Sequence, residues 1–267
     1  MALTTIDGAI SGIKFVKDWI KPGPTAVAGH PLSYLYAAGY PAASAAPSPG
    51  IGGAVLTTYA GQIPFENPVS GNTYLSRMQG IGSSRGSILL CDRLWHNSGI
   101  DLTSTLEQTF TGAAQIPARD ATGTNAGVGV YAALEFSAAG GVAAPVYTFK
   151  YTNQAATAGQ TATTIIATAN SPAAGKFHVF ALAAGDTGVQ LAESITLSTS
   201  QLSGTAHIVL FRVIARLDVS LLTHPNFQDG LKLGFPRCYD NTVPFIVYIS
   251  AAAGTVNISG NVAFSQG

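Results

Sequence analysis

Residues 82–86 carry a pattern that could support catalysis. The sequence Gly-Ser-Ser84-Arg-Gly fits the G-x-S-x-G motif of serine hydrolases, in which a sharp turn from a strand into a helix exposes the serine to a histidine and an oxyanion hole. The residues that follow, Ser-Ile-Leu-Leu-Cys-Asp-Arg-Leu at 87–94, are typical of a strand, whereas the motif requires a helix there. We therefore interpret residues 82–86 as a Gly/Ser turn and keep an esterase built on Ser84 as the alternative from a different functional class.

A second group of reactive side chains lies just downstream. Cys91, Asp92 and His96 fall within six residues, and thiolate, carboxylate and imidazole groups are all zinc ligands. Only Cys238 and Asp240 could complete such a set. In an alternating strand, Cys91 would also face away from Asp92. We expect a buried thiol followed by a chain reversal, and no metal site.

The remaining polar motifs are weaker. Residues 120–125 read Asp-Ala-Thr-Gly-Thr-Asn, and a single carboxylate makes a poor calcium loop, so this segment is interpreted as a turn. The histidines at 30, 178, 207 and 224 lie in unrelated contexts. Because the chain also lacks paired carboxylates, a phosphate loop and a dinucleotide fingerprint, we expect no catalytic residues, no cofactor and no enzymatic activity.

Short apolar segments separated by turn residues dominate the chain from residue 85 onward. They span residues 87–94, 128–136, 146–152, 161–168, 177–183, 194–199, 205–217, 243–250 and 255–264. Such a series without helical patterns between its members predicts a mainly β protein, an antiparallel β-sandwich or jelly roll. Segment 205–217 is apolar on both faces, which indicates a strand covered on both sides, although periodicity alone also permits a buried helix.

The N-terminal 60 residues have a different composition. Apolar residues recur at helical spacing from Thr5, a candidate N-cap, to Lys21, where Pro22 stops the pattern, and this predicts a short helix. Residues 22–61 are rich in Pro, Gly, Ala and Ser, which favours extended or irregular backbone. This segment is either a linker or an extended arm that lies over a neighbouring subunit. The predicted organisation is a helix and arm over 1–60 and a β-sandwich over 61–267.

The charge content limits the possible functions. Of 267 residues, only 10% are charged and the formal net charge is zero, with 47% hydrophobic residues; an average soluble domain has about 25% charged residues. Such a surface favours burial against copies of the chain or a partner. The lack of a basic cluster argues against nucleic acid as a partner, and no stretch offers the roughly 20 apolar residues of a membrane-spanning helix. Two cysteines and no basic, apolar leader indicate synthesis in a reducing compartment.

Several segments resemble virion structural proteins of tailed bacteriophages. They are residues 89–99 (Leu-Leu-Cys-Asp-Arg-Leu-Trp-His-Asn-Ser-Gly), 149–153 (Phe-Lys-Tyr-Thr-Asn), 182–189 (Leu-Ala-Ala-Gly-Asp-Thr-Gly-Val) and 209–217 (Val-Leu-Phe-Arg-Val-Ile-Ala-Arg-Leu). The resemblance extends over most of residues 75–217, and Ile-Ser-Gly-Asn-Val at 258–262 is also typical. It brings no active-site residues with it, and it implies a structural component of the virion, synthesised in the host cytoplasm.

The resemblance and the composition together lead to a specific expectation. We expect a capsid decoration (cement) protein that assembles as a homotrimer on the capsid surface and stabilises the head through contacts with itself and with the major capsid protein. A protein of the tail, neck or fibre, acting as a connector or in receptor binding, is the alternative.

Particular residues are predicted to mediate these contacts. The interface candidates are the apolar and aromatic side chains of the N-terminal helix and arm: Ile6, Ile10, Ile13, Val16, Trp19, Tyr34, Tyr36 and Tyr40. Arg212 and Arg216 are predicted to form structural ion pairs with Glu135 or Glu193 across neighbouring strands.

Overall fold

The computed structural model describes residues 5–165, 173–222 and 224–267. Its elements are almost all strands. The strands are β1 (Ile13–Lys21), β2 (Thr25–Ala26), β3 (Pro31–Ser33), β4 (Ala54–Val55), β5 (Thr73–Gly82), β6 (Gly86–His96), β7 (Gln108–Thr109), β8 (Val130–Ala138), β9 (Tyr147–Asn153), β10 (Gln160–Thr164), β11 (Phe177–Ala181), β12 (Val189–Leu197), β13 (Thr205–Val219), β14 (Asn226–Asp229), β15 (Arg237–Cys238), β16 (Pro244–Ser250), β17 (Gly254–Thr255) and β18 (Ile258–Gln266). The helices are α1 (Ile6–Ser11) and α2 (Gly230–Leu233). The predicted mainly β class is confirmed.

The strands form two principal antiparallel sheets. The small sheet has the order β1-β18-β5-β14, with β15 also pairing with β5. The large sheet has the order β3-β16-β6-β13-β8-β11-β10-β9-β12-β7, with β4 also pairing with β6. β2 and β17 form a separate two-stranded pair. Because antiparallel strands need only short connections, this topology agrees with the frequent turn signals of the sequence.

The two sheets pack face to face around one core. The inner face of the small sheet contributes Trp19, Leu75 and Val262, and strands of the large sheet contribute Ile88 and Leu217. All five side chains are at least 98% buried. Inward side chains that meet in this way define a β-sandwich.

The far half of the large sheet closes around a second core. Side chains of β6, β8 and β13 meet those of β9 and β12 there, and the cluster includes Trp95, Phe136, Phe149 and Ile195. Aromatic rings stack inside it, with 5.1 Å between the ring centroids of Phe149 and Phe180. Burial of such large apolar surfaces is the main favourable contribution to the stability of this half.

A third cluster lies on the opposite face of the large sheet. Phe177, Phe211 and Phe245 pack there, and Leu35 and Tyr59 from the Pro/Gly-rich segment cover them. Since β13 faces one cluster through its odd-numbered residues near 209–211 and another through its even-numbered ones, it is apolar on both sides. The strand assignment for residues 205–217 is confirmed, and both of its faces are covered over residues 206–212, whereas Val213 and Arg216 are exposed.

The N-terminal helix is much shorter than predicted, and the prediction of one helix over residues 5–21 was wrong. Thr5 is the N-cap and its hydroxyl accepts a hydrogen bond from the Gly8 amide, but α1 ends at Ser11. Residues 13–21 instead form β1, paired with β18. The apolar residues of this segment are spaced three or four apart, which also fits a helix. In the observed strand, consecutive side chains such as Trp19 and Ile20 point to opposite faces.

The Pro/Gly-rich segment lies against the β strands of its own chain. Within it, β3 pairs with β16 and β4 pairs with β6. Gly53 has φ of 69°, and a Cβ at this position would lie 2.1 Å from the Trp95 ring, so the close passage of the segment over the sheet requires glycine.

Most predicted strands match observed ones, but β5 was missed in addition to β1, and one predicted segment extends beyond its strand. β5 was missed, because its sequence of Ser, Arg, Met, Gln and Gly residues has little β-branched content. In the predicted strand 161–168, β10 ends at Thr164, and residues 166–168 lie outside the described residues, as do residues 1–4 of the predicted N-terminal unit.

Candidate interaction face and buried charge network

Ser84 lies in the hairpin turn between β5 and β6. Its hydroxyl donates to the carbonyl of Arg85 and lies 3.1 Å from the Ser250 hydroxyl, while its carbonyl accepts from the Tyr248 hydroxyl. Within the described part of the chain, no histidine hydrogen-bonds to Ser84. The turn leads into a strand and not a helix, so the geometry of a nucleophile elbow is missing.

Cys91, Asp92 and His96 do not converge on one site. Cys91 faces the aromatic cluster under Leu35, and burial raises the pKa of its thiol well above the usual range, which makes it a poor nucleophile. Asp92 binds arginines, and the Nδ1 atom of His96 accepts from Arg93 Nε at 3.1 Å. Across residues 5–165, 173–222 and 224–267, no group of three or more His, Cys, Asp or Glu side chains is arranged to hold a metal.

Asp120 organises a turn. One carboxylate oxygen accepts from the Thr122 and Thr124 amides at 2.9 and 2.8 Å, and the other accepts from the amides of Gly127 and Val128 at 3.0 and 3.1 Å. Burial alone would raise the pKa of Asp120, but the hydrogen bonds from Thr124 and Thr122 outweigh burial and lower it. The carboxylate oxygens are thus occupied by donors of the chain itself, as expected for a turn.

A buried ion pair crosses the centre of the large sheet. Arg93 Nη2 of β6 lies 2.7 Å from Glu135 Oε2 of β8, and both side chains are completely buried. The Tyr36 hydroxyl donates to the same carboxylate oxygen at 2.9 Å. Burial alone would raise the pKa of Glu135, but the charge and hydrogen bond of Arg93, together with hydrogen bonds from Ser33 and Tyr36, lower it. The guanidinium also lies 5.4 Å from the ring centroid of Tyr59. Each charge of this pair offsets the desolvation cost of burying the other.

Asp92 is the centre of a second buried group. Arg119 Nε lies 3.2 Å from Asp92 Oδ2, and Arg212 Nε lies 3.6 Å from the same oxygen. The Val243 amide donates to Oδ1 at 2.9 Å. Arg119 also donates to the carbonyl of Leu56. The group therefore ties β6, β13 and the Pro/Gly-rich segment together.

The predicted ion pairs were wrong in their partners. Arg212 pairs with Asp92 and not with a glutamate, and Arg216 forms an exposed pair with Asp218 at 2.8 Å. Glu135 pairs with Arg93. Glu193 accepts from the Thr152 hydroxyl at 2.7 Å.

Sequence reasoning missed Arg93 and Arg119, although one signal was present. Asp92 and Arg93 interrupt an otherwise apolar strand, and charged residues in a strand that is buried on both faces need partners. The identity of those partners depends on the order of the strands in the sheet, which the sequence did not reveal.

The outer face of the small sheet is not covered by the chain. Ile20 lies opposite Tyr40 and Ser259, and Ser259 lies opposite Ile81, so these residues share one face. Val16 and Phe227 lie on the same face in other rows. We define the apolar members Val16, Ile20, Tyr40, Ile81 and Phe227 as the open face. Val16, Ile20, Tyr40 and Phe227 are 46%, 61%, 54% and 65% exposed, and a depression of about 360 Å³ lies beside Ile20 and Ile81.

The interface candidates fall into two groups. Ile6 and Ile10 of α1 and Ile13 at the start of β1 are 57%, 63% and 45% exposed. Trp19 and Tyr34 are buried in the core between the two sheets, so their side chains are not available to a partner. Tyr36 belongs to the buried network around Glu135.

Comparisons with known proteins identify no family. No protein-family model matches the chain, and no curated protein matches it. Solved structures with some similarity include the crystal structure of the infectious bursal disease virus VP2 subviral particle, at 10% identity and a TM-score of 0.19, covering 96% of this chain and 82% of that one. The structure of infectious bursal disease virus Gt strain gives 10% identity and a TM-score of 0.17 over 95% of this chain and 81% of that one. Scores this low support no conclusion about fold or function.

Among the described helices, none has the length and apolar character needed to cross a bilayer.

Proposed function

We propose that this chain is a structural subunit of a tailed-bacteriophage virion, of the capsid decoration or cement type, and not an enzyme. In this role, it forms a homotrimer on the head surface and contacts the major capsid protein. The sequence resemblance over residues 75–217 supports the virion assignment, and the surface chemistry of the structure supports a role in assembly.

The open face is the observation that carries the proposal. An exposed sheet face normally presents polar side chains to water, whereas on this one Val16, Ile20, Tyr40 and Phe227 are 46–65% exposed among polar residues such as Asp18 and Gln79. Ile6 and Ile10 of α1, which immediately precedes β1, are further exposed apolar residues. Exposed apolar side chains grouped on one face of a soluble protein mark a candidate interaction site, and the occupant that we propose is another copy of the chain, arranged around a three-fold axis.

The distribution of charge supports the same role. Eight of the 26 Lys, Arg, Asp and Glu residues are buried, namely Lys21, Asp92, Arg93, Arg119, Asp120, Glu135, Lys176 and Arg212. Charged residues are rarely fully buried in proteins. Because so much of a small charge complement is inside, the surface has even less electrostatic repulsion than the composition indicates, and this favours association between copies.

Sedimentation equilibrium of the full chain tests the proposal. We expect a three-chain species for the wild type and dissociation for Val16→Lys/Ile20→Lys, because two desolvated ammonium groups would oppose burial of the open face. Val142→Lys/Val146→Lys is the matched control, since these valines are 66% and 53% exposed and lie away from the open face. It adds the same charge and should stay trimeric.

A monomeric wild type, or equal behaviour of the two variants, would contradict self-association through the open face. Electron microscopy of virions carrying a labelled copy tests location separately. Label on the head surface supports the decoration role, whereas label on the tail, neck or fibre would replace it with the alternative role.

A further inference from the structure

Three basic side chains meet where the Pro/Gly-rich segment crosses the edge of β11. His30 directly precedes β3, Lys176 forms a bridge with Leu32 of β3, and His178 lies two residues further along. The ring centroids of His30 and His178 are 6.4 Å apart, and the rings are perpendicular. Segments distant in sequence thus bring three nitrogen-bearing groups into one place.

Three polar atoms of this cluster have no hydrogen-bond partner in the part of the chain that the structure describes. Lys176 is 5% exposed and His178 is 4% exposed. Lys176 Nζ, His30 Nδ1 and His178 Nε2 are all buried and form no hydrogen bond with the described chain. An ammonium group without an acceptor is among the most costly groups to bury. Elsewhere in this chain, buried charges such as Arg93 have a carboxylate beside them, so the cluster is an exception that needs a physical reason.

The electrostatic environment is positive and unbalanced. Burial and the neighbouring His30 and Lys176 lower the pKa of His178 to about 4, and burial followed by Lys176 lowers the pKa of His30. Burial also lowers the pKa of Lys176. No Asp or Glu of the described chain contributes to any of these three shifts, so no carboxylate offsets the positive charge.

We propose that His30, Lys176 and His178 form a binding site for one small oxyanion of the carboxylate or phosphate type. An ammonium and two imidazole N–H groups are donors that an oxyanion accepts from, with charge-assisted hydrogen bonds from the lysine. A cation would be repelled by Lys176, and an apolar ligand would leave the three nitrogens unpaired. His30 is only partly buried and gives the site a side open to solvent. The bound anion would join the Pro/Gly-rich segment to the large sheet.

The oxyanion has two possible sources, a free anion or an acidic side chain of another copy of the chain. Histidine ring NMR signals of the full-length protein, titrated with inorganic phosphate or acetate against sodium chloride at equal ionic strength, test the first source. We expect a saturable shift of the His30 and His178 signals that chloride does not reproduce. Methionine is close in volume to lysine. Binding to Lys176→Met should weaken about tenfold or more, because the variant loses a charge-assisted hydrogen bond.

Lys232→Met removes an exposed lysine and is the matched control, which should titrate like the wild type. His30→Gln is a second variant at a partly exposed loop position, and its weakened binding would support the site even if Lys176→Met fails to fold. Phosphate should also raise the melting temperature of the wild type and of Lys232→Met but not that of Lys176→Met, because a ligand stabilises only the state that binds it.

The second source has its own signature. The His178 signal would then move with protein concentration in the absence of added anion, and Lys176→Met would abolish that movement. If the signals respond neither to oxyanion nor to protein concentration, or respond equally in Lys176→Met, the cluster is not an anion site.

Discussion

The two sheets differ in how their two faces are buried. The small sheet packs one face against the core and leaves the other to solvent, and Val16, Ile20 and Phe227 are on that open face. In the large sheet, β6 and residues 206–212 of β13 are covered on both faces, and the charged residues Asp92, Arg93 and Arg212 are buried there. The chain therefore leaves several apolar side chains in solvent on one sheet and buries several charges in the other.

These exceptions show that a partner can offset the cost of burying a charged residue. Arg93 is tolerated at full burial because Glu135 lies 2.7 Å away, and the apolar side chains of the open face are tolerated in solvent only at the cost of a surface that favours association. This difference in burial between the two sheets predicts how substitutions in each sheet change the free energy of unfolding.

The largest expected effect is in the doubly covered sheet. Arg93→Met leaves Glu135 buried without its counter-charge, and we expect the free energy of unfolding to fall by about 3–5 kcal/mol. Arg93→Met/Glu135→Leu removes both charges and should recover most of that loss. Arg216→Met breaks the exposed pair with Asp218 and should cost less than about 1 kcal/mol. Urea unfolding of the three variants measures these values, and equal losses for Arg93→Met and Arg216→Met would contradict the role assigned to the buried pair.

A pair of neighbours on β1 tests the two faces of the small sheet directly. Trp19 is completely buried and Ile20 is 61% exposed. Trp19→Ala should lower the free energy of unfolding by about 3–5 kcal/mol, whereas Ile20→Ala should change it by no more than about 0.5 kcal/mol at protein concentrations where the chain is monomeric. Chemical denaturation gives both numbers. A large loss for Ile20→Ala under these conditions would mean that the open face is part of the folded core.

The histidines beside the buried ion pair are expected to have an effect that is smaller for each pH unit. Burial, followed by repulsion from Arg93 and His207, lowers the pKa of His96 to about 2, and burial is also the main reason why the pKa of His207 is lowered to about 4. The folded chain keeps both rings neutral, whereas the unfolded chain protonates them near pH 6.5. Unfolding therefore takes up protons, and stability should fall as the pH falls from 6.5 toward 4, by up to about 1.4 kcal/mol per pH unit for each histidine.

Urea unfolding at several pH values measures this dependence. His207→Gln should reduce the slope by about 1.4 kcal/mol per pH unit, while His224→Gln, at an exposed position, serves as the control and should leave it unchanged. An identical slope in both variants would show that His207 is not held neutral by the fold.

The elements with a strong local signal were predictable. Alternating apolar residues and turn residues identified β6, β8, β9 and β13, because strand formation there follows from period-two burial and flanking glycines. β5 and β1 were missed for opposite reasons. β5 has little intrinsic strand preference, and the spacing of the apolar residues in β1 also fits a helix; in both cases pairing with β18 decides the conformation.

The candidate sites were predictable only in part. The residues around Ser84 and Cys91 were correctly interpreted as a turn and a buried thiol, because local sequence was enough to judge them. The exposed side chains of Ile6, Ile10 and Val16 were singled out, but Trp19 could not be separated from them before the strand and its faces were known.

The sequence by itself determined the mainly β class, the low charge and the turns, since composition and short-range periodicity act within a few residues. Only the tertiary structure decided which charges pair, which face of the small sheet stays open, and that His30, Lys176 and His178 meet. The physical reason is that strand order joins residues far apart in the chain: β6 lies between β16 and β13, and no local pattern encodes that neighbourhood.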